Sequence, residues 1–343
     1  MKKHVNKTTK IVTASALTLA LGGAAQAAVW TGTGVGDEYS TPANWDDNTA
    51  PVGGTSGPAT RNINTAVTVE RSVDSTAGRT FVEGGATLNV TGGTHSDNRS
   101  GNTIRNFIGN NSAGTVNLSG GSWDVGHLTL VGSGNASGSG TFIQTSGSFS
   151  ASRGGNSFMG ITGGSSLEVG VGSATGLYQI SGGSLTTRIG VGVGPQGTFE
   201  VIGTGAATIG IGSNGSLDGS WNQDAGGVLK LGLNATGITP ILIDVTTGTG
   251  SGGGNAIFND GSILDPYDAG GAATDVWTTV MTWEGVLTDG GLELSADALA
   301  AGWEKQVDGS NLQVRLAAVP EPSTSLLAGL AMFAGLGMRR RQK

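Results

Sequence analysis

The chain has 343 residues with 64 glycines and no cysteine, and only 13% of its residues are charged and 5% aromatic. This composition excludes disulfide-stapled folds and thiolate metal sites, and it disfavours a compact globular core. Residues 28–319 hold 24 of the 25 acidic residues but only 10 of the 18 basic ones, so this part repels nucleic acid and anionic lipid, and we expect no nucleic-acid partner.

The N-terminus has the features of a secretory signal peptide. Four lysines within residues 1–10 precede an apolar stretch, and Ala25 and Ala27 form the small-x-small pattern of a cleavage site. We expect the general secretory machinery to export the chain and residues 1–27 to be removed after Ala27. The alternative is a retained membrane anchor, which the short apolar run disfavours.

A repeated pattern fills residues 81–262. Four segments align: "GTVNLSGGSWDV" from Gly114, "GTFIQTSGSFSA" from Gly140, "GLYQISGGSLTT" from Gly176 and "GTFEVIGTGAAT" from Gly197. Their apolar residues alternate with polar ones, as in a strand with one buried face. Trp123, Phe149 and Leu185 follow a Gly/Ser turn, and we expect them to point back into the core.

A second motif, an apolar residue followed by glycine, recurs between these segments. It occurs at Ile108, Val131, Met159, Val169, Ile189 and Ile209. Two strands per repeat cannot bury their apolar faces alone, but stacked copies form one continuous core. The sequence therefore predicts an all-β fold, a parallel β-solenoid (β-helix) of Gly-rich irregular repeats, with six or seven coils and a length of about 30 Å.

These repeats resemble the passenger-like β-strand repeats of bacterial autotransporters and their relatives. The sequence before them resembles the entry segment of such proteins, since Trp30 opens "WTGTG" and Asn44, Trp45 and Pro51 follow. The resemblance implies a β-strand repeat fold. We interpret residues 28–80 as an N-terminal entry and capping segment.

Charged and aromatic side chains return in residues 263–318. Apolar residues alternate with polar ones in "DVWTTVMTWEGV" and "GWEKQVDGSNLQVRL". We expect these strands to cap the solenoid, because an open end exposes an aggregation-prone edge. The alternative is a carbohydrate platform built from Trp277, Trp283 and Trp303.

Hydrolase and nucleotide-binding motifs are weak in this chain. It lacks G-x-S-x-G, H-E-x-x-H and the P-loop. Two stretches, from Gly192 and from Gly210, match G-x-G-x-x-G, but a strand pattern rather than a helix follows the first, and we interpret both as solenoid turns. A Ser-His-Asp arrangement would need His95 or His127, with Asp97 or Asp124 as orienter. We expect His95 to pack within the first coil instead.

Paired carboxylates are the other catalytic pattern that we considered. Glu168 and Glu200 could face each other on stacked coils, as the acid pair of a glycosidase does. Glu200 alternates with Phe199 and Val201, so we expect it to point to solvent as an isolated charge. The sequence therefore predicts no catalytic residue, cofactor or metal site, with calcium at scattered aspartates as an alternative.

Residues 319–343 form the last predicted element. It contains, in order, Pro320, Glu321, Pro322, an apolar run over residues 326–338, and Arg339, Arg340 and Arg341. The run is shorter than the roughly 20 residues of a stable membrane helix, but its basic flank fits a cytoplasmic stop. In motif, order, length and position this tail resembles the PEP-CTERM sorting signal.

That resemblance implies a protein exported from a Gram-negative bacterium and held briefly in the inner membrane by a short C-terminal transmembrane helix. An exosortase would then process it, with Pro320, Glu321 and Pro322 as the recognition motif and Arg339–Arg341 as the membrane stop. Proteins with this signal are associated with exopolysaccharide and with biofilm or floc formation. An uncleaved single-pass anchor is the alternative for the tail.

The sequence favours a non-catalytic protein of the cell surface or extracellular matrix that contacts extracellular polysaccharide. This expectation rests on the sorting tail and on a repetitive body without a cluster of reactive side chains. Two functions of other classes stay open: a β-helix polysaccharide lyase or glycosidase, and a glycan-binding adhesin.

Overall fold

The computed structural model describes residues 28–34, 36, 38–48, 60–97, 105–151, 166–212, 219–243 and 254–318. Within these ranges the chain is mostly β-strand, wound into stacked coils that each place one strand in each of three sheets. All strand pairs are parallel except those of a final hairpin. The predicted parallel β-solenoid is therefore confirmed.

The described residues form 29 strands, one 3-10 helix and one α-helix along the chain. The first half contains β1 (Ala28–Val29), a 3-10 helix (Pro42–Asn44), β2 (Arg61–Ile63), β3 (Thr68–Arg71), β4 (Ser75–Ala77), β5 (Thr80–Val82), β6 (Ala86–Val90), β7 (Thr94–Asp97), β8 (Arg105–Ile108), β9 (Ala113–Leu118), β10 (Ser122–Val125), β11 (Leu128–Val131), β12 (Ser139–Gln144), β13 (Ser148–Ala151) and β14 (Leu167–Val169). The second half contains β15 (Thr175–Ile180), β16 (Gly183–Thr187), β17 (Gly190–Val193), β18 (Gly197–Ile202), β19 (Ala206–Ile211), β20 (Ser220–Gln223), β21 (Val228–Asn234), β22 (Ile241–Ile243), β23 (Asn255–Phe258), β24 (Ile263–Gly270), β25 (Thr278–Trp283), β26 (Leu287–Asp289), β27 (Glu293–Leu294), α1 (Ala296–Ala300), β28 (Trp303–Asp308) and β29 (Asn311–Leu316).

The three sheets take every third strand. The first sheet runs β1-β2-β5-β8-β11-β14-β17-β20-β23-β26, the second runs β3-β6-β9-β12-β15-β18-β21-β24-β27, and the third runs β4-β7-β10-β13-β16-β19-β22-β25-β29-β28. In the described part of the chain, the coils from β2–β4 to β23–β25 contribute a strand to all three sheets.

The coil has one more strand than the sequence indicated. The repeat pattern predicted two strands per coil, whereas the structure has three, and the third is the segment that carries Trp123, Phe149 and Leu185. These three side chains lie in register and are at most 1% exposed, so their predicted inward orientation is confirmed. The eight complete coils among the described residues also exceed the expected six or seven.

The motif of an apolar residue followed by glycine belongs to the first sheet in only part of its occurrences. Ile108, Val131 and Val169 stack in register there. Ile209 lies in β19 of the third sheet, and Ile189 precedes β17, so grouping these two with the others was wrong. Apolar-Gly pairs are frequent in so glycine-rich a chain, which is why the motif alone did not separate the sheets. Met159 lies outside the described residues.

Glycine opens the strands of the second sheet for a steric reason. The residues in register are Gly114, Gly140, Gly176 and Gly197. A Cβ atom on Gly140 would lie 2.1 Å from the amide nitrogen of Gly132 and 2.2 Å from the carbonyl oxygen of Ile108. No larger residue fits so close a backbone approach. The repeated glycine therefore marks where the chain passes from the first sheet to the second.

A stack of aromatic rings fills the middle coils. Phe142, Tyr178 and Phe199 are neighbours in register on the second sheet. Their ring centroids lie 4.9 and 5.2 Å apart, and Trp221 follows 5.2 Å beyond Phe199. All four are fully buried, and aromatic pairs at this spacing stabilise a core beyond simple area burial.

The N-terminal end of the stack carries an aromatic cluster from the entry segment. Trp45 packs edge to face against Trp30 and Tyr39, with ring centroids 5.2 and 5.0 Å away. The Trp45 indole nitrogen donates to the Tyr39 carbonyl at 2.8 Å. The guanidinium carbon of Arg61 in β2 lies 4.9 Å from the centre of the Trp45 ring, so these rings pack directly on the first coil.

The C-terminal end of the stack reverses the strand direction. After β26 and β27 the chain enters α1, whose N-cap Ser295 accepts a hydrogen bond from the Ala298 amide at 3.0 Å. β29 then pairs antiparallel with both β25 and β28, so the third sheet ends in a hairpin. Among the residues that the structure describes, no helix is both long and apolar enough to cross a membrane.

Several predicted segments fall at or beyond the edges of the described chain. The signal peptide over residues 1–27, with Ala25 and Ala27, and the tail over residues 319–343, with its transmembrane helix, lie outside the described residues and stay predictions. The sequence predicted a solenoid over residues 81–262. In the structure the stack of coils continues past both limits, since β2–β4 precede residue 81 and β25 follows residue 262.

Candidate functional site

A buried polar cluster occupies the core of the first three coils. Asp97 in β7 pairs with Arg71 in β3 at 3.2 Å, and neither side chain is exposed. The second carboxylate oxygen of Asp97 accepts hydrogen bonds from Asn106 and from the Trp123 indole, both at 3.0 Å. The Arg71 guanidinium carbon lies 4.7 Å from the centre of the Tyr39 ring. The ion pair is therefore buried within the solenoid. A buried charge is costly unless it has an opposite charge and hydrogen-bond partners, and these side chains supply them.

His95 belongs to this cluster and contacts a serine. Its Nδ1 lies 2.9 Å from Ser75 Oγ, and its Nε2 lies 2.5 Å from the Gly92 carbonyl oxygen. Because that carbonyl can only accept, Nε2 carries the proton and Nδ1 accepts from Ser75. Ser75 Oγ in turn accepts from Arg71 Nε at 2.7 Å. Burial, followed by the Arg71 charge, lowers the pKa of His95 to about 4, so the ring is neutral at physiological pH.

This Ser-His contact lacks the geometry of a catalytic triad. His95 is fully buried, so a substrate has no access to the serine, and Asp97 bonds Arg71, Asn106 and Trp123 rather than the imidazole. As expected, His95 packs inside the solenoid, but it lies in β7 of the second complete coil rather than in the first. Asp124, the other candidate orienter, lies on the outer face of β10 and accepts from Ser150 Oγ at 2.6 Å.

The structure does not bring Glu168 and Glu200 together. Glu168 lies in β14 of the first sheet, between Leu130 and Gly192. Glu200 lies in β18 of the second sheet, so the two carboxylates are not neighbours on stacked coils. His127, 3% exposed, precedes β11 and is likewise remote in register from Glu200. The carboxylate pair that the sequence left as an alternative is therefore not formed by these two residues.

Glu200 is covered rather than exposed, which corrects the sequence prediction. It lies on the outer side of the sheet but is only 6% exposed. Tyr267 donates to it at 2.9 Å, Gln179 donates at 2.5 Å, and the Lys230 ammonium lies 3.5 Å away. The Tyr267 ring reaches back over the sheet because Gly232 has no side chain, and a Cβ atom there would lie 2.6 Å from the tyrosine oxygen. Burial and the Glu200 carboxylate raise the pKa of Tyr267.

The tryptophans of the C-terminal strands do not form an exposed platform. Trp283 and Trp303 are each 3% exposed and belong to the core. Trp277 is half-buried, and the Arg315 guanidinium carbon lies 4.6 Å from its ring centre. The packing of these rings agrees with a capping role rather than with the alternative carbohydrate platform.

Arg71 and Tyr267 were not predicted as part of a buried polar site, for different reasons. Arg71 is two residues after Val69 in β3, so strand alternation places both on the inner face, and this pattern could have identified a buried charge. Tyr267 contacts Glu200 across 67 positions of sequence, which no local pattern records. Among the described residues, no group of three or more His, Asp or Glu side chains is placed to hold a metal ion.

Comparison with known proteins identifies the tail. Residues 318–341 match the PEP-CTERM protein-sorting motif, a range that includes Pro320, Glu321, Pro322 and Arg339–Arg341. No curated protein and no solved structure matches the chain. The motif indicates an exported Gram-negative protein that is held transiently in the membrane and sorted by an exosortase.

Proposed function

We propose that this exported protein is a non-catalytic structural element of the cell surface or extracellular matrix, and that it contacts exopolysaccharide. This proposal rests on the combination of a sorting signal with a solenoid in which the Ser75–His95 contact is sealed in the core. The stacked coils give a rod of about 40 Å. This shape suits a spacer or scaffold better than an enzyme with an enclosed active site.

The distribution of charge supports this proposal. Glu168 and Glu200 lie on different sheets, and Glu200 is already engaged by Tyr267, Gln179 and Lys230. A lyase or glycosidase needs an acid and a base that reach the same glycosidic bond. The outer faces carry polar side chains such as Asn89 and Asn117 beside apolar ones such as Phe107 and Leu177, a mixture suited to many weak contacts along a polymer.

The first test separates binding from cleavage. The exported protein, purified from culture, is mixed with the exopolysaccharide of the same culture, and both co-sedimentation and polymer length are measured. We expect the protein to sediment with the polymer and the chain length to stay constant. Shortening of the polymer that is lost in Glu168→Gln, Glu200→Gln or His127→Gln would establish the enzyme instead, and failure to co-sediment would refute polysaccharide contact.

The second test concerns the tail. If an exosortase cuts near Pro320–Pro322, the intact mass of protein extracted from the cell surface lacks the apolar run and the basic stop. A Glu321→Ala variant is expected to remain in the membrane fraction at full tail length. Surface protein that retains residues 323–343 would contradict processing and favour a plain anchor.

A further inference from the structure

A cavity lies where the second sheet loses its last strand. The ladder between β24 and β27 contains only Ile263 opposite Glu293 and Leu264 opposite Leu294, because the chain then enters α1. From Asp265 onward β24 therefore has no parallel neighbour on this side. Pro266 suits the open edge since it has no amide hydrogen to leave unpaired. The space between β24, α1 and β28 is a cavity of about 440 Å³.

The lining of this cavity combines rings with carboxylates. Its apolar part includes Pro266, Tyr267 and Trp303, and its polar part includes Asp265, Asp268 and Asp297. The volume is within the range of small-molecule sites, which are apolar clefts with a few placed polar groups. A saccharide has the matching chemistry, because its C–H face packs on rings and its hydroxyl groups donate to carboxylates.

The groups that line the cavity are held in place before any ligand arrives. The Tyr267 ring is fixed by its hydrogen bond to Glu200 and by the Lys230 ammonium, 5.0 Å from the ring centre. Asp268 accepts from the Gly270 and Ala272 amides at 2.8 and 2.9 Å. These bonds, with that of Ala272 the largest, lower the pKa of Asp268, so it stays ionised. Such preorganisation reduces the entropic cost of binding.

The negative charge of the cavity lining favours cationic over anionic saccharides. Lys230 is the one cation of the lining among the described residues, and its charge is offset by Glu200 at 3.5 Å. The carboxylates of Asp265, Asp268 and Asp297 are therefore left to set a negative potential, which disfavours uronic acids and attracts a cation. We propose that this cavity binds a hexosamine unit with a free amino group, as found in a cationic polysaccharide. This inference rests on the proposed contact with polysaccharide and names its chemistry.

The test uses two probes with the same sugar backbone, in which the amino groups are either free and charged or acetylated and neutral. Binding of a glucosamine tetramer and of its fully N-acetylated counterpart to the full exported protein is measured by calorimetry. We expect the free amine to bind at least about tenfold more tightly, because only the charged ammonium group donates charge-assisted hydrogen bonds to the carboxylates. Equal affinity for the two probes, or no binding of the free amine, would overturn the proposal.

Variants then locate the binding. Asp297→Asn removes one charge at an exposed position of α1 and should lower affinity for the free amine about tenfold, as should Tyr267→Ala. Asp124→Asn, on the third sheet five coils away, is the matched control and should change nothing. If Asp297→Asn and Asp124→Asn bind the free amine with identical affinity, the cavity is not its binding site. This conclusion holds even if Tyr267→Ala fails to fold.

Co-sedimentation with the exopolysaccharide of the producing culture separates this inference from the proposed function. Weaker sedimentation of Asp297→Asn than of Asp124→Asn supports both. If the wild type and both variants sediment equally, the matrix function stands and the cavity proposal fails. If the wild type does not sediment at all, the proposed function itself fails.

Discussion

The first three coils and the middle coils share one backbone architecture but have opposite cores. The N-terminal coils enclose Arg71, Asp97 and His95 with no exposure to solvent, whereas the middle coils enclose the ring stack of Phe142, Tyr178 and Phe199. Both cores are formed by strands in which inward-facing and outward-facing side chains alternate. Coil geometry therefore does not dictate the chemistry of the interior.

The difference concerns specificity. In the ring stack each aromatic residue contacts similar neighbours above and below, so the arrangement could continue for any number of coils. In the polar cluster, Asp97 has three different partners, with Arg71 on the coil before it and both Asn106 and Trp123 on the coil after it, so only one order of coils satisfies it. We infer that the polar cluster fixes the position of the first coils against the entry segment, at some cost in stability.

The strongest test of this comparison is Asp97→Ala. Removing the carboxylate leaves the buried Arg71 charge uncompensated and the Trp123 indole without its acceptor, so the free energy of unfolding should fall by about 4 kcal/mol. Chemical denaturation measures this loss. Asp124→Ala, on the outer face of the coil above, is the control and should cost under about 0.5 kcal/mol. Similar losses in both variants would show that the cluster has no special role.

Acidification should weaken the polar region next most strongly. The folded pKa of His95 is about 4 against an ordinary value of 6.5, so the unfolded chain binds the extra proton first. Stability should therefore fall as the pH drops through 6.5 towards 4, by up to about 3 kcal/mol. Denaturation of the wild type and of His95→Gln at several pH values checks this. Parallel pH profiles for the two proteins would contradict it.

Tyr178→Phe tests the middle coils and should have the smallest effect. The ring stays in the stack, but Gln144 loses the hydroxyl that donates to its side-chain oxygen at 2.7 Å. The expected loss is about 1 kcal/mol in the free energy of unfolding. In a Gln144→Leu background the same change should cost nothing further, so a persistent loss there would assign the effect to ring packing instead.

The sequence predicts the repeat well because alternation is a local property. The inward positions of Trp123, Phe149 and Leu185 follow from it directly, and so does the glycine register. The sequence-based prediction of register fails where the coil length changes. The ungapped alignment places Leu185 opposite Ala206, but the structure places it opposite Ile209, with a register shift after Gly183.

The candidate site could be predicted only in part. The sorting motif is a contiguous signal, so its residues are readable without any fold. The burial of Glu200 depends instead on Tyr267, which lies two coils further along the solenoid. It also depends on Gly232, whose missing side chain leaves room for the Tyr267 ring. The cavity beside β24 exists because β27 is short and α1 follows, and strand length is set by packing that the sequence pattern does not encode.

The antiparallel hairpin of β28 and β29 has a consequence for assembly outside the cell. A parallel stack has no intrinsic length, since its last strand can template a further coil or another molecule. Here the last strand of the third sheet runs the other way, and β28 carries the charged side chains of Glu304, Lys305 and Asp308 along its outer edge. The third sheet therefore offers no parallel edge at this end to a further coil, which disfavours end-to-end growth of the rod through this sheet.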